Sequence, residues 1–89
     1  MKAVHLVIHG KVQGVFFRKY TKEKAQSLKL KGTVKNLPGG SVDIIAQGDE
    51  DRLRIFIEWC HQGSPTSKVE NVEMSHTAIG DYTDFEIVQ

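Results

Sequence analysis

Cysteine is nearly absent from this chain: Cys60 is the only one among 89 residues. No internal disulfide can form, so the fold has to stand on packing. Long apolar runs are missing too. None approaches the ~20 residues of a membrane span, and Met1-Lys2-Ala3-Val4-His5 lacks the apolar core of a signal peptide. The plain reading is a cytoplasmic protein with no membrane partner. Metal-ligand clusters are lacking as well. His5 and His9 stand four apart on one expected strand, about 13 Å at 3.3 Å per residue. Zinc holds nitrogen at about 2.0–2.1 Å, so this pair alone cannot share a metal. His61 and His76 have no evident partner and read as surface residues, and the carboxylates do not cluster. No metal site and no cofactor are expected.

Several catalytic patterns are absent in the same way. No Gly-Lys-Ser/Thr follows a glycine loop, which excludes a Walker A site, and a dinucleotide fingerprint lacks its acidic ribose partner and its parallel βαβ context. A cysteine phosphatase needs an arginine six positions after its nucleophile, where Thr66 stands after Cys60. Cys60 also falls on an apolar helical stripe, where an inert buried thiol is the ordinary outcome.

What is present is an ordinary globular composition, 39% hydrophobic and 26% charged, which argues against disorder. At this length one domain, residues 1–89, can bury a single core. The net charge of +1 hides an asymmetry. Residues 1–40 carry nine Lys/Arg against Glu23 alone, whereas residues 41–89 carry three Lys/Arg against ten Asp/Glu. Two readings stay open: steering of a small anion toward the basic half, or halves that interleave in space and merely solvate the surface.

The apolar pattern orders the elements. Val4, Leu6 and Ile8 alternate over Ala3–His9, predicting a half-buried strand. Phe17, Tyr20, Ala25 and Leu28 fall near helical spacing over 17–28. Residues 32–37 predict a second strand, Leu37-Pro38-Gly39-Gly40 a hairpin turn, and Val42, Ile44 and Ala46 a third strand ending at Gly48. Asp49, Glu50 and Asp51 supply a cap and negative charge for a second helix through Leu53, Phe56, Ile57 and Cys60. After the Gly63-Ser64-Pro65-Thr66-Ser67 loop, residues 69–76 predict a fourth strand. Its apolar positions Val69, Val72 and Met74 break parity, which either a bulge or a two-sided environment explains. Phe85, Ile87 and Val88 close the chain as a short strand. The order predicts an α+β, ferredoxin-like βαββαβ sandwich: two helices on one face of a mostly antiparallel sheet, with a short extra C-terminal strand.

The stretch His9-Gly10-Lys11-Val12-Gln13-Gly14-Val15-Phe16-Phe17-Arg18 joins the first strand to the first helix. Two glycines permit a tight turn that exposes backbone N–H groups, and a loop entering a helix N-terminus favours anions. Arg18, one turn inside, offers a planar fork of donors suited to phosphate or carboxylate. The bland alternative is a tight turn with a solvent-facing Arg. Asn36 ends the second strand, where it either opens the hairpin turn or, sharing the parity of Val34, points over the sheet end toward the loop. An amide there can orient a water through both its nitrogen and its oxygen.

These residues resemble the small acylphosphatases. Residues 10–18 are similar to that family's first signature, Gly-x-Val-Gln-Gly-Val-x-Phe-Arg, without a mismatch. Gly32-Thr33-Val34-Lys35-Asn36, followed by Gly40-Ser41-Val42 and Gly48, is similar to its second. Thr33 stands where the family usually has an aromatic, a change bearing on packing more than on chemistry. The resemblance implies hydrolysis of acyl phosphates to carboxylate and inorganic phosphate, without metal or organic cofactor. By that match the loop N–H groups of Gln13, Gly14, Val15, Phe16, Phe17 and Arg18, with the Arg18 side chain, hold phosphate, while Asn36 positions the attacking water. The rival class is a non-catalytic binding module for RNA or protein, since RNA-recognition domains share this element order. Those domains stack bases on sheet aromatics, whereas Lys31-Gly32 is followed here by Thr33 and the first strand has no aromatic. A monomer that binds no nucleic acid is the expectation, and the chain's length favours an independent protein over part of a larger assembly.

Overall fold

A computed structural model describes residues 1–88; Gln89, the last residue of the expected domain, lies outside the described residues. The chain runs β1 (Lys2–Lys11), α1 (Phe17–Ser27), β2 (Lys31–Asn36), β3 (Val42–Gly48), α2 (Glu50–Gln62), β4 (Lys68–His76) and β5 (Phe85–Ile87). The five strands form one sheet in the order β4-β1-β3-β2-β5. All neighbours are antiparallel except β2 and β5, which run parallel. Both helices pack on the same face, where Val4, Leu6 and Ile8 of β1, Val34 of β2 and Val42, Ile44 and Ala46 of β3 are buried. This is the expected two-layer α+β sandwich with an added C-terminal strand.

Aromatic packing joins the two helices to each other and α2 to the sheet. Phe17 of α1 stacks on Trp59 of α2 with ring centroids 5.7 Å apart, and Phe56 of α2 meets Phe85 of β5 edge-on at 6.0 Å. Phe17, Phe56 and Phe85 are fully buried, each contributing roughly 1.5–3 kcal/mol through the area removed from water, while Trp59 is half-buried. Within α1 the buried positions are Phe17, Thr21 and Ala25, while Tyr20, expected in the core, is exposed. Thr21 tolerates that place because its hydroxyl donates to the Phe17 carbonyl one turn back, at 2.7 Å. Strand ends differ from expectation by a residue or so: β2 begins at Lys31 and stops at Asn36, and Val88 follows β5 with its N–H donating to the Val34 carbonyl.

The parity break in β4 is a bulge. His9 pairs with Asn71 and Gly10 with Val69, which leaves Glu70 as the extra residue on β4. Gly10 sits where a Cβ would come within 2.1 Å of the Lys68 carbonyl oxygen, so this close approach requires glycine. The bulge therefore adjoins the point where β1 runs into the loop.

Candidate anion site at the start of the first helix

Val12 and Val15 are buried and pin the 12–16 segment to the core. Between and after them, Gly14 (φ 74°) and Phe16 (φ 60°, ψ 22°) take left-handed conformations. Nothing lies within 4 Å of where a Gly14 Cβ would stand, so glycine is needed there for its backbone and not for space. Phe16 has no such freedom. A non-glycine residue held in that region costs on the order of 1–3 kcal/mol, and the surrounding structure must compensate. Left-handed residues interspersed with right-handed ones turn successive N–H groups inward, the geometry of an anion-binding concavity.

Those donors are free. The first bond into α1 is Tyr20 N–H to the Phe16 carbonyl at 3.1 Å, and the N–H groups of Gln13 through Lys19 reach no acceptor among the described residues. No side chain caps α1, and its first turn holds no acidic residue. The contrast with α2 is direct: the Asp49 carboxylate accepts from the N–H groups of Asp51 and Arg52, and Glu50 and Asp51 occupy the first turn. One helix has its N-terminus satisfied from within; the other leaves its positive end open.

Arg18, Gly14, Phe16 and Phe17 line a single cavity of about 440 Å³ together with Asn36. Arg18 is half-buried and makes no ion pair or hydrogen bond with any described residue, although its guanidinium carries five donors. Asn36 comes from β2, on the Val34 face, and its Oδ1 is buried without a hydrogen-bond partner. Leaving such an atom unpaired costs roughly 1–3 kcal/mol. An uncapped helix end, an unpaired cation and an unpaired amide thus meet in one cleft. The arrangement can hold a compact anion and orient a small polar molecule beside it.

Gln13 and Val15, the other two expected phosphate-loop residues, do not line the cavity with their side chains. The Gln13 amide turns to the β2–β3 hairpin, where its nitrogen donates to the carbonyls of Leu37 (2.9 Å) and Ser41 (2.8 Å). That clamp ties the loop to the strand end carrying Asn36. Cys60 is fully buried in α2, and burial pushes its thiol well above the ordinary range, so it offers no nucleophile.

A family model for acylphosphatases matches residues 4–87. The chain belongs to the acylphosphatase family. An acylphosphatase of Coxiella burnetii is 43% identical over 84 residues, covering 94% of this chain and 88% of that protein. The crystal structure of an acylphosphatase from Bacillus subtilis covers 100% of both chains with a TM-score of 0.97 at 37% identity. A structure of an acylphosphatase from Coxiella burnetii covers 98% of this chain and 92% of its own, with a TM-score of 0.94 at 41% identity.

Within this acylphosphatase fold Thr33 faces away from the site. It shares the uncovered sheet face with Lys35, opposite in parity to Val34 and Asn36, and pairs with Ile45 and Glu86. The cavity also includes Lys19 and Ile87, which the sequence reading missed. Lys19 was legible as a second cation next to Arg18 at a helix start. Ile87 was not, because only the parallel pairing of β5 on β2 brings the C-terminal strand to the cleft.

Proposed function

We propose that this chain hydrolyses acyl phosphates to a carboxylate and inorganic phosphate, with the loop N–H groups and Arg18 holding the phosphoryl group and Asn36 orienting the attacking water. The observation that carries the reading is the convergence of an uncapped helix N-terminus, an unpaired Arg18 and an unpaired Asn36 in one cavity. Phosphoryl transfer passes through a loose transition state with charge spread over three equatorial oxygens, so fixed donors and positioning supply most of the catalysis. The water oxygen bonds phosphorus as the bond to the acyl oxygen breaks. Carboxylic acids have pKa values near 4, so the leaving group departs as an anion without a general acid. The water proton passes to an oxygen of the substrate's own phosphate. No metal or cofactor enters this scheme, and the protein works as a cytoplasmic monomer whose only partners are substrate and product.

The test is hydrolysis of benzoyl phosphate, without added metal, by wild type and Arg18→Ala, with circular dichroism confirming the fold of both. Loss of about 10²–10³-fold in kcat/KM in a folded variant is expected, the usual effect of removing one oxyanion donor. A folded wild type with no turnover above the uncatalysed rate overturns the reading. Salt-dependent RNA binding in place of turnover would then support the binding-module alternative. The strand residues on the uncovered face, among them His5, Val7, Thr33 and Lys35, include no Phe, Tyr or Trp.

A further inference from the structure

We infer that Ser64, assisted by Thr66, is a positioning residue that aims the Phe16 N–H into the anion cavity; the inference rests on the phosphate-binding reading above. Ser64 lies in the loop between α2 and β4, 49 positions from Val15, and its hydroxyl donates to the Val15 carbonyl oxygen at 3.0 Å. The Thr66 hydroxyl reaches the same oxygen at 3.4 Å. A peptide unit is planar, and no described peptide bond is cis, so the Val15 carbonyl and the Phe16 N–H point in opposite directions. Holding the carbonyl toward the α2 side therefore turns the N–H away from it. That is the cavity side: Phe16 lines the cavity with Arg18 and Asn36, whereas Ser64 borders a separate depression beside Trp59.

The anchor is itself rigid. Ser64 is 3% exposed, and its carbonyl accepts both the N–H (3.0 Å) and the hydroxyl (2.8 Å) of Ser67. The Gly63 N–H donates to the Trp59 carbonyl at 2.8 Å, which fastens the loop to the last turn of α2. A left-handed non-glycine residue persists only where its surroundings over-determine it, and two hydroxyls on one carbonyl are such a determinant for the peptide preceding Phe16. Without them the Val15–Phe16 plane is free to rotate, and a donor prepared in advance of binding has to be ordered during it.

The test titrates inorganic phosphate into the full chain while following backbone amide resonances, alongside benzoyl phosphate kinetics and thermal unfolding. In wild type the Phe16 amide proton shifts downfield on saturation. In Ser64→Ala that response is expected to shrink, with phosphate affinity and kcat/KM each falling about tenfold, part of the effect of one charge-assisted hydrogen bond. Thr66→Ala, at an exposed position, retains the fold and shows the same changes at about two- to threefold. A purely structural Ser64 would lower the melting temperature and leave the Phe16 response intact. Wild-type phosphate affinity and Phe16 shift in Ser64→Ala overturn the inference alone. If Ser64→Ala does not fold, an unchanged Phe16 response in Thr66→Ala overturns it. A wild type whose loop amides ignore phosphate overturns the phosphate-binding reading together with it.

Discussion

At the scale of single residues, the proposed mechanism divides labour between a group that meets the phosphoryl anion and one that meets water. Arg18 is a half-buried charge with no ion pair among the described residues, and in that mechanism it meets the phosphoryl group. Asn36 is neutral and carries an orphaned Oδ1. An amide contributes little to anchoring a dianion but fixes the orientation of a water through a donor and an acceptor. Asn36→Ala is therefore expected to lower kcat about a hundredfold, the typical effect of mispositioning a reactant, while inorganic phosphate inhibition stays within about twofold of wild type. Steady-state kinetics with phosphate as competitive inhibitor checks this. Loss of phosphate binding with kcat unchanged would assign Asn36 to binding instead. Gln13 acts at one remove, since its clamp on Leu37 and Ser41 holds the loop and the Asn36 strand end together.

At the scale of elements, the two helices have opposite terminal chemistry. α2 is capped: the Asp49 carboxylate and the acidic first turn satisfy its N-terminus, and the helix serves as a packing surface through Leu53, Phe56 and Cys60. α1 has no side-chain cap and no acidic residue in its first turn. Asp49→Ala is expected to cost about 1 kcal/mol. For a domain of this size that corresponds to a melting temperature lower by roughly 4–8 °C. Because Asp49 does not line the cavity, kcat/KM at 25 °C stays at the wild-type value. Calorimetry and an activity assay on the same sample separate the two effects.

For the whole molecule, the sheet order answers the question raised by the uneven charge along the chain. β1 lies between β4 and β3, and β2 between β3 and β5, so the basic and acidic halves interleave in the sheet. A bias survives in α1, where Arg18, Lys19, Lys22 and Lys24 stand against Glu23 alone and the first two line the cleft, whereas α2 nearly balances Glu50, Asp51 and Glu58 with Arg52 and Arg54. Packing around one core also gives a global probe. Cys60 is fully buried and its thiol is held protonated by burial, so reaction with a disulfide reagent requires opening of the core. Thiol labelling is expected to be silent under native conditions and to rise with denaturant in parallel with the loss of circular dichroism. Rapid labelling of the folded protein would contradict a single cooperative core.

Local pattern alone determined most of the fold and offered Arg18 and Asn36 as candidates, whose roles come from the resemblance to the acylphosphatases. Alternation in Val4-Leu6-Ile8 and Val42-Ile44-Ala46 specifies strands because side chains there repeat every two residues. The Asp49 cap and Gly14 act within a few positions of their own backbone. The exceptions are informative. Tyr20 and Thr21 both fit a helical stripe, and only the packing of α1 on the sheet selected Thr21 for burial, with its hydroxyl satisfied by Phe17. The β4 bulge was visible as broken parity, yet its nature depended on pairing with Gly10 across the sheet. Gln13 on the hairpin and Ser64 on the Val15 carbonyl join residues 24 and 49 positions apart, and Ile87 reaches the cleft from far beyond Asn36 in the chain. Such long-range partners leave no periodicity in the sequence. Tertiary structure decided them, because the free energy of those contacts exists only once the chain has closed on its core.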